Sequence, residues 1–207
     1  PAGAPAPATR PVDPAVKAAY LDGLEQDAFD QVIREISGDL SFWHDGQPRT
    51  VRTRFYNTTG NDIVTDYLAQ QLASWGYTVE LDTFSAWGQV CRNVVATVEG
   101  TVAPGEIVVV GGHFDSTSGD AQSEAPGAED NASGTSLVME LARASAGRTF
   151  ERTVQFVLFD AEEIGLRGSQ HFVDEAVSEG REIVAAITAD MVSYHDRNYG
   201  VIIEGED

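Results

Sequence analysis

Residues 107–111 read Ile-Val-Val-Val-Gly, a run with no polar side chain for either face of a strand. A chain can bury such a run only where both faces are covered, as in the middle of a parallel sheet. Residues 153–159 read as another buried strand and residues 183–189 as a further strand. Between them lie stretches of helical spacing: residues 133–145, with Leu137, Val138 and Leu141 inward, and a segment carrying Phe172, Val173, Ala176 and Val177. Strands alternating with helices in this way predict an α/β three-layer sandwich, a mostly parallel central sheet with helices on both faces.

Upstream, Val16, Tyr20 and Leu24, then Phe29, Val32, Ile33 and Ile36, recur at helical spacing and stop at Gly38, so one broken helix or two short ones are expected. Residues 41–60 are polar and turn-rich. Asn61 or Asp62 is the expected cap of a helix whose stripe is Ile63, Tyr67, Leu68, Leu72 and Trp75 and whose stop is Gly76. Residues 77–84, 93–98 and 201–203 complete the strands. There is no internal repeat, so residues 15–207 are expected to form one domain. Residues 1–14, rich in Pro and Ala, read as a flexible leader left after signal cleavage, which makes the protein an expected secreted, extracellular one.

A net charge of -20 argues against a nucleic-acid surface, because phosphates would be repelled. No apolar run approaches the roughly 20 residues of a membrane-spanning helix. Cys91 is the only cysteine, which excludes an internal disulfide and Cys/His zinc motifs.

The three central strands run into acids or histidine. The first leads to His113-Phe-Asp115, the second to Asp160-Ala-Glu162-Glu163 and the third to Asp190-Met191. Between the first two, residues 127–134 read Gly-Ala-Glu-Asp-Asn-Ala-Ser-Gly, a turn leading into a helix. Ligands of open α/β sheets bind beyond the carboxyl ends of the strands, so His113, Asp130, Glu162, Glu163 and Asp190 are expected on one rim. So many carboxylates held together out of bulk water repel one another and are driven toward protonation. Divalent cations remove that conflict, and one imidazole among carboxylates without a thiolate suits zinc, less strongly manganese or cobalt. One zinc needs only three of these groups; the surplus argues for two.

The motifs His-Phe-Asp-Ser, Gly-Ala-Glu-Asp-Asn-Ala-Ser-Gly, Glu-Glu-Ile-Gly-Leu-Arg-Gly-Ser and Asp-Met stand in the order and approximate spacing of the bacterial leucyl aminopeptidase family of co-catalytic di-zinc exopeptidases, which residues 61–207 resemble. The resemblance implies a fold of the zinc-exopeptidase type and an aminopeptidase that removes apolar N-terminal residues from peptides or proteins. It implies that His113 and Asp190 bind one Zn2+, Glu163 a second, and that Asp130 bridges the two. Asp115 is implied to orient the imidazole of His113, and Glu162 to be the general base. It further implies a cis peptide after the bridging aspartate, at Asp130-Asn131. The family's third ligand to the Glu163 ion is a histidine well downstream of Asp-Met, for which this sequence offers no match. The sequence is therefore expected to lack its C-terminal part, and the missing segment is an expected partner.

Other readings stay open. Glutaminyl cyclisation uses one zinc on the same scaffold, in a branch with an insertion after the Glu-Glu pair that is absent here. A carboxypeptidase or dipeptidase relative and a metal-free, receptor-like domain are the others. Among the remaining candidates, His44 is expected in a solvated loop and His171 in a packing role. Cys91 is expected to be a buried hydrophobe, Arg167 an anchor under the Glu163 loop, and His195 no ligand. Asn57-Thr-Thr is a glycosylation sequon.

Overall fold

The computed structural model describes residues 13–194. The leader up to residue 12, the strand expected at 201–203 and His195 lie outside them. The chain opens with two short helices, α1 (Pro14–Leu21) and α2 (Gln26–Ile36). The Asp13 side chain caps α1 with Pro14 at its first turn, and Gly38 at φ +86° turns the chain away after α2. The turn-rich stretch that follows contains a small hairpin, β1 (Phe42–His44) with β2 (Gln47–Arg49). His44 sits on its inner side and is buried, contrary to the expectation of a solvated loop.

Helix α3 (Thr59–Ser74) is capped by Thr58, whose hydroxyl accepts from the Asn61 amide at 3.2 Å, and it stops before Gly76 at φ +92°. The cap therefore lies three residues earlier than Asn61. Asn61 is instead buried in the first turn, where its amide donates to the Arg54 carbonyl and to Asp160.

The remaining elements are β3 (Thr78–Ala86), β4 (Gln89–Val98), β5 (Ala103–His113), α4 (Gly134–Ser145), β6 (Arg152–Phe159), α5 (Arg167–Glu179) and β7 (Glu182–Thr188). They build a five-stranded sheet in the order β3-β4-β6-β5-β7. The sheet is mixed. Strands β6, β5 and β7 are parallel, as the β-branched runs predict, whereas β3, β4 and β6 pair antiparallel. The β3–β4 pairing follows from a two-residue turn at Trp87 and Gly88, both at positive φ, which is too short for a crossover.

Alternation along the strands splits the core into two layers. Val94, Ala96, Phe156 and Leu158 face α2, α3 and α4, burying Ile36, Leu68, Val138 and Met139. Val95, Val109, Val157 and Phe159 face the opposite way, against Phe172 of α5. Helix α4 presents Val138, Met139 and Ala142 inward, leaving the expected Leu137 and Leu141 half-buried. On α5, Phe172 and Ala176 are buried while Val173 and Val177 are exposed. Strand β7 is an edge among the described residues, with Val184 and Ile187 exposed.

Candidate metal centre

The parallel half of the sheet sets the site. Because β5, β6 and β7 run the same way, the segments that leave their carboxyl ends share one rim, and His113, Glu162 and Asp190 converge there. The His113 ring is buried, and its Nε2 atom lies 3.2 Å from Asp130 Oδ1 and 3.8 Å from both Asp190 Oδ1 and Glu162 Oε2. One donor atom each from His113, Asp130 and Asp190 falls within 4.8 Å of the others. Glu163 stands outside that trio, though the Asp130 charge reaches it. On the far side of the ring, Asp115 Oδ1 is 3.4 Å from Nδ1 without closing a well-formed hydrogen bond.

Asp115 has a second task that the sequence does not disclose. It is wholly buried, and its two oxygens accept the backbone amides of Glu162 (3.0 Å) and Glu163 (3.2 Å), so one carboxylate fixes both the histidine side and the glutamate side of the rim. Ala161, at φ +57°, makes the sharp turn that lifts Glu162 off the end of β6. Beneath it, Asp160 accepts from Asn61, from the Arg92 amide and from its own neighbour's amide, while burial pushes its carboxyl up to about 7.

The turn through residues 127–134 is held as tightly. Its Asp130–Asn131 peptide is cis. The fully buried Asn131 side chain accepts from the amides of Gly134 (2.8 Å) and Met191 (3.2 Å) and donates to the Ala189 carbonyl (3.0 Å), which ties the Asp130 turn to the end of β7 on both sides of Asp190. Gly134 is required at this junction, since a Cβ there would meet the Ala189 carbonyl oxygen at 2.3 Å.

Arg54, which has no distinctive sequence context, lies fully buried below the centre. Its guanidinium donates to the carbonyls of Phe114 (2.7 Å), Ile36 (2.7 Å), Pro126 (2.7 Å) and Gly127 (3.0 Å), gripping the loops that bear His113, Asp115 and Asp130. Burial lowers its pKa to about 10, against the pull of Asp115, Glu163 and Asp130. Arg54→Met should destabilise the fold by about 3–5 kcal/mol, because it strips a buried charge that satisfies four carbonyls. Chemical denaturation measures this; a loss below about 1 kcal/mol would show that water replaces the guanidinium.

The electrostatics of the rim are set by burial and by neighbouring carboxylates. Burial, with Asp130 and Asp115 next, pushes the Glu163 carboxyl up to about 7. Burial likewise raises Glu162. Burial disfavours a charged imidazole, yet Asp115, Glu162 and Asp190 hold the His113 pKa up at about 9. A divalent cation held at this rim would offset both the burial of the carboxylates and their mutual repulsion. The donor set fits zinc: an imidazole and carboxylates, on a rim open to solvent.

Elsewhere, Arg167 does not anchor the rim through its side chain, which lies over the Trp87 ring at 5.8 Å; its backbone amide binds the Ala161 carbonyl instead. Cys91 is buried in an apolar cluster with Phe84, Ala86 and Ala161, and Asn57 is exposed.

A probable zinc metalloprotease of Pyricularia oryzae is 32% identical over 183 residues, covering 79% of this chain and 36% of the relative. A probable leucine aminopeptidase of Arthroderma benhamiae is 39% identical over 116 residues, covering 51% of this chain and 32% of the relative. The chain thus spans about a third of the length of these curated relatives. The Legionella pneumophila LapA aminopeptidase structure superposes with a TM-score of 0.72 over 90% of this chain and 47% of LapA, at 23% identity, which is a likeness of fold. Residues 93–207, which carry His113, Asp130, Glu162, Glu163 and Asp190, match the family described as Peptidase family M28, and the chain belongs to that family.

Proposed function

We propose that the chain supplies the metal-holding part of a zinc aminopeptidase that hydrolyses the first peptide bond of peptides or proteins, with preference for apolar first residues. The observation that carries this reading is the trio of His113, Asp130 and Asp190 donor atoms within 4.8 Å, with Glu162 beside it. The names of the relatives, a zinc metalloprotease and a leucine aminopeptidase, agree with it. His113, Asp130 and Asp190 would hold one zinc, and Asp130 with Glu163 the other. Bound there, the ions would supply Lewis acidity, making a water acidic and polarising the scissile carbonyl.

The residues do the rest. Glu162 reaches the centre from the β6 side with its backbone fixed by Asp115, and accepts the proton of the attacking water. It then returns that proton to the leaving amine. Asp115, on the opposite side of the His113 ring from Asp130, orients the imidazole as a ligand. We further propose that chain beyond the described residues, of which the longer relatives have more, covers the exposed side chains of β7 and supplies the remaining ligand of the second ion.

The test is a side-by-side assay of the full-length gene product on leucine and glutamate amides. Leucine amide is the expected better substrate, because the chain's net charge of -20 repels an anionic first residue. A preference for glutamate amide would overturn the specificity. Cyclisation of N-terminal glutamine without amide hydrolysis would move the protein to the mono-zinc alternative.

A further inference from the structure

A second cluster of donors stands on the other side of the sheet, between β3 and α5. His171 and Glu175, one turn apart on α5, share a face, and Asp82 of β3 lies opposite them. His171 Nε2 is 2.8 Å from Asp82 Oδ1 and 3.7 Å from Glu175 Oε1, and donor atoms of all three fall within 4.8 Å of one another. The catalytic trio of this same molecule gives the measure of such a spacing: His113 Nε2 stands 3.2 Å and 3.8 Å from the oxygens of Asp130 and Asp190. The second cluster is equally tight.

Its surroundings are arranged as supports. Asp82 is buried and spends its other oxygen, Oδ2, on the Asn93 amide at 2.8 Å. Glu175 spends Oε2 on Arg181 at 3.3 Å. Each carboxylate is thus tethered from outside by one oxygen and turns the other toward the imidazole nitrogen. The ring is held flat against Phe84, with centroids 5.1 Å apart and planes 24° apart. Outer partners that orient each donor in this way are a regular feature of metal sites. Access exists, because His171 lines an open cavity of about 270 Å³ together with Phe84, Ser85, Arg167, Gln170 and Asp174.

From this arrangement we propose that Asp82, His171 and Glu175 form a further cation site, separate from the catalytic centre, that takes a divalent transition ion of the zinc type. One imidazole and two carboxylates select zinc, cobalt or manganese over calcium, which prefers oxygen donors alone, and water completes the coordination. The ion clamps α5 to β3. Asn93, which holds Asp82, also donates to the Gly168 carbonyl and accepts the Asp160 amide, so the clamp closes over the base of the loop bearing Glu162 and Glu163. The binding step exchanges the imidazole's contact with Asp82 for a metal contact and releases whatever proton that nitrogen carried.

The test uses full-length protein equilibrated with micromolar zinc, followed by elemental analysis and thermal melting, for the wild type, His171→Ala and Glu175→Gln. The wild type should hold one zinc more than either variant, and that ion should raise Tm only in the wild type. Loss of a donor should weaken this site by more than the about 10–100-fold that removal of an outer partner costs. Because the readout is the difference between variants, it does not depend on the catalytic reading, which leucine-amide turnover reports separately. Glu175 is half exposed, so Glu175→Gln carries the test if His171→Ala does not fold. Equal zinc content in the wild type and Glu175→Gln at every concentration would overturn the proposal and leave the trio as an ion pair.

Discussion

On the proposed mechanism, Glu162→Gln is expected to lower kcat for leucine-amide hydrolysis by about 10²–10⁴-fold and to leave the zinc content unchanged. Glutamine keeps the size of the side chain and its backbone bond to Asp115, but it cannot accept a proton from water or return one to the leaving amine. Glu162 stands near the trio, with Oε2 3.8 Å from His113 Nε2, without belonging to it. Loss of the proposed base should therefore cost proton transfer and spare metal affinity. The matching substitution at the neighbouring position, Glu163→Gln, is expected to act the other way and weaken the proposed second ion. Measured together, kcat and metal content separate the two roles. Equal metal loss in both variants would mean that both side chains are ligands and that the base lies elsewhere.

Removal of metal should abolish the proposed hydrolysis altogether. A strong chelator should leave a folded protein without measurable turnover, because the proposed reaction needs a water made acidic by metal. Readdition should restore the rate in step with the first two zinc ions per chain, while a further ion at Asp82, His171 and Glu175 binds without adding to kcat. Isothermal titration run in parallel with the assay resolves these stages. Full hydrolysis at one equivalent would show that a single ion suffices and would remove the second from the mechanism.

Much of the centre was legible because it is local. His113 with Asp115, Asp130 with its turn, and the Glu162-Glu163 pair are each written as short contiguous motifs, and each follows a strand or precedes a helix that its own periodicity reveals. The parts that escaped are long-range. Arg54 lies 60 residues from the Phe114 carbonyl it grips, and a lone arginine in a polar stretch gives no sign that it is fully buried. Asn131 reads in the sequence only as part of a turn leading into a helix, whereas its side-chain amide joins two loops that meet only in the folded sheet. His171 reads as packing on an amphipathic helix, and only the β3–β4 hairpin brings Asp82 to it.

The sequence by itself determined the α/β class, the parallel strands and the residues that collect at their carboxyl ends. Those depend on side-chain periodicity and on the rule that parallel strands share a ligand-binding rim. Only the tertiary structure decided that the sheet is half antiparallel, that Asp115 holds both glutamate amides, and that a buried guanidinium supports the metal-bearing loops. Strand pairing and buried polar networks depend on which distant groups meet once water is excluded. A hydrogen bond between residues 60 apart leaves no period in the chain for a reader to find.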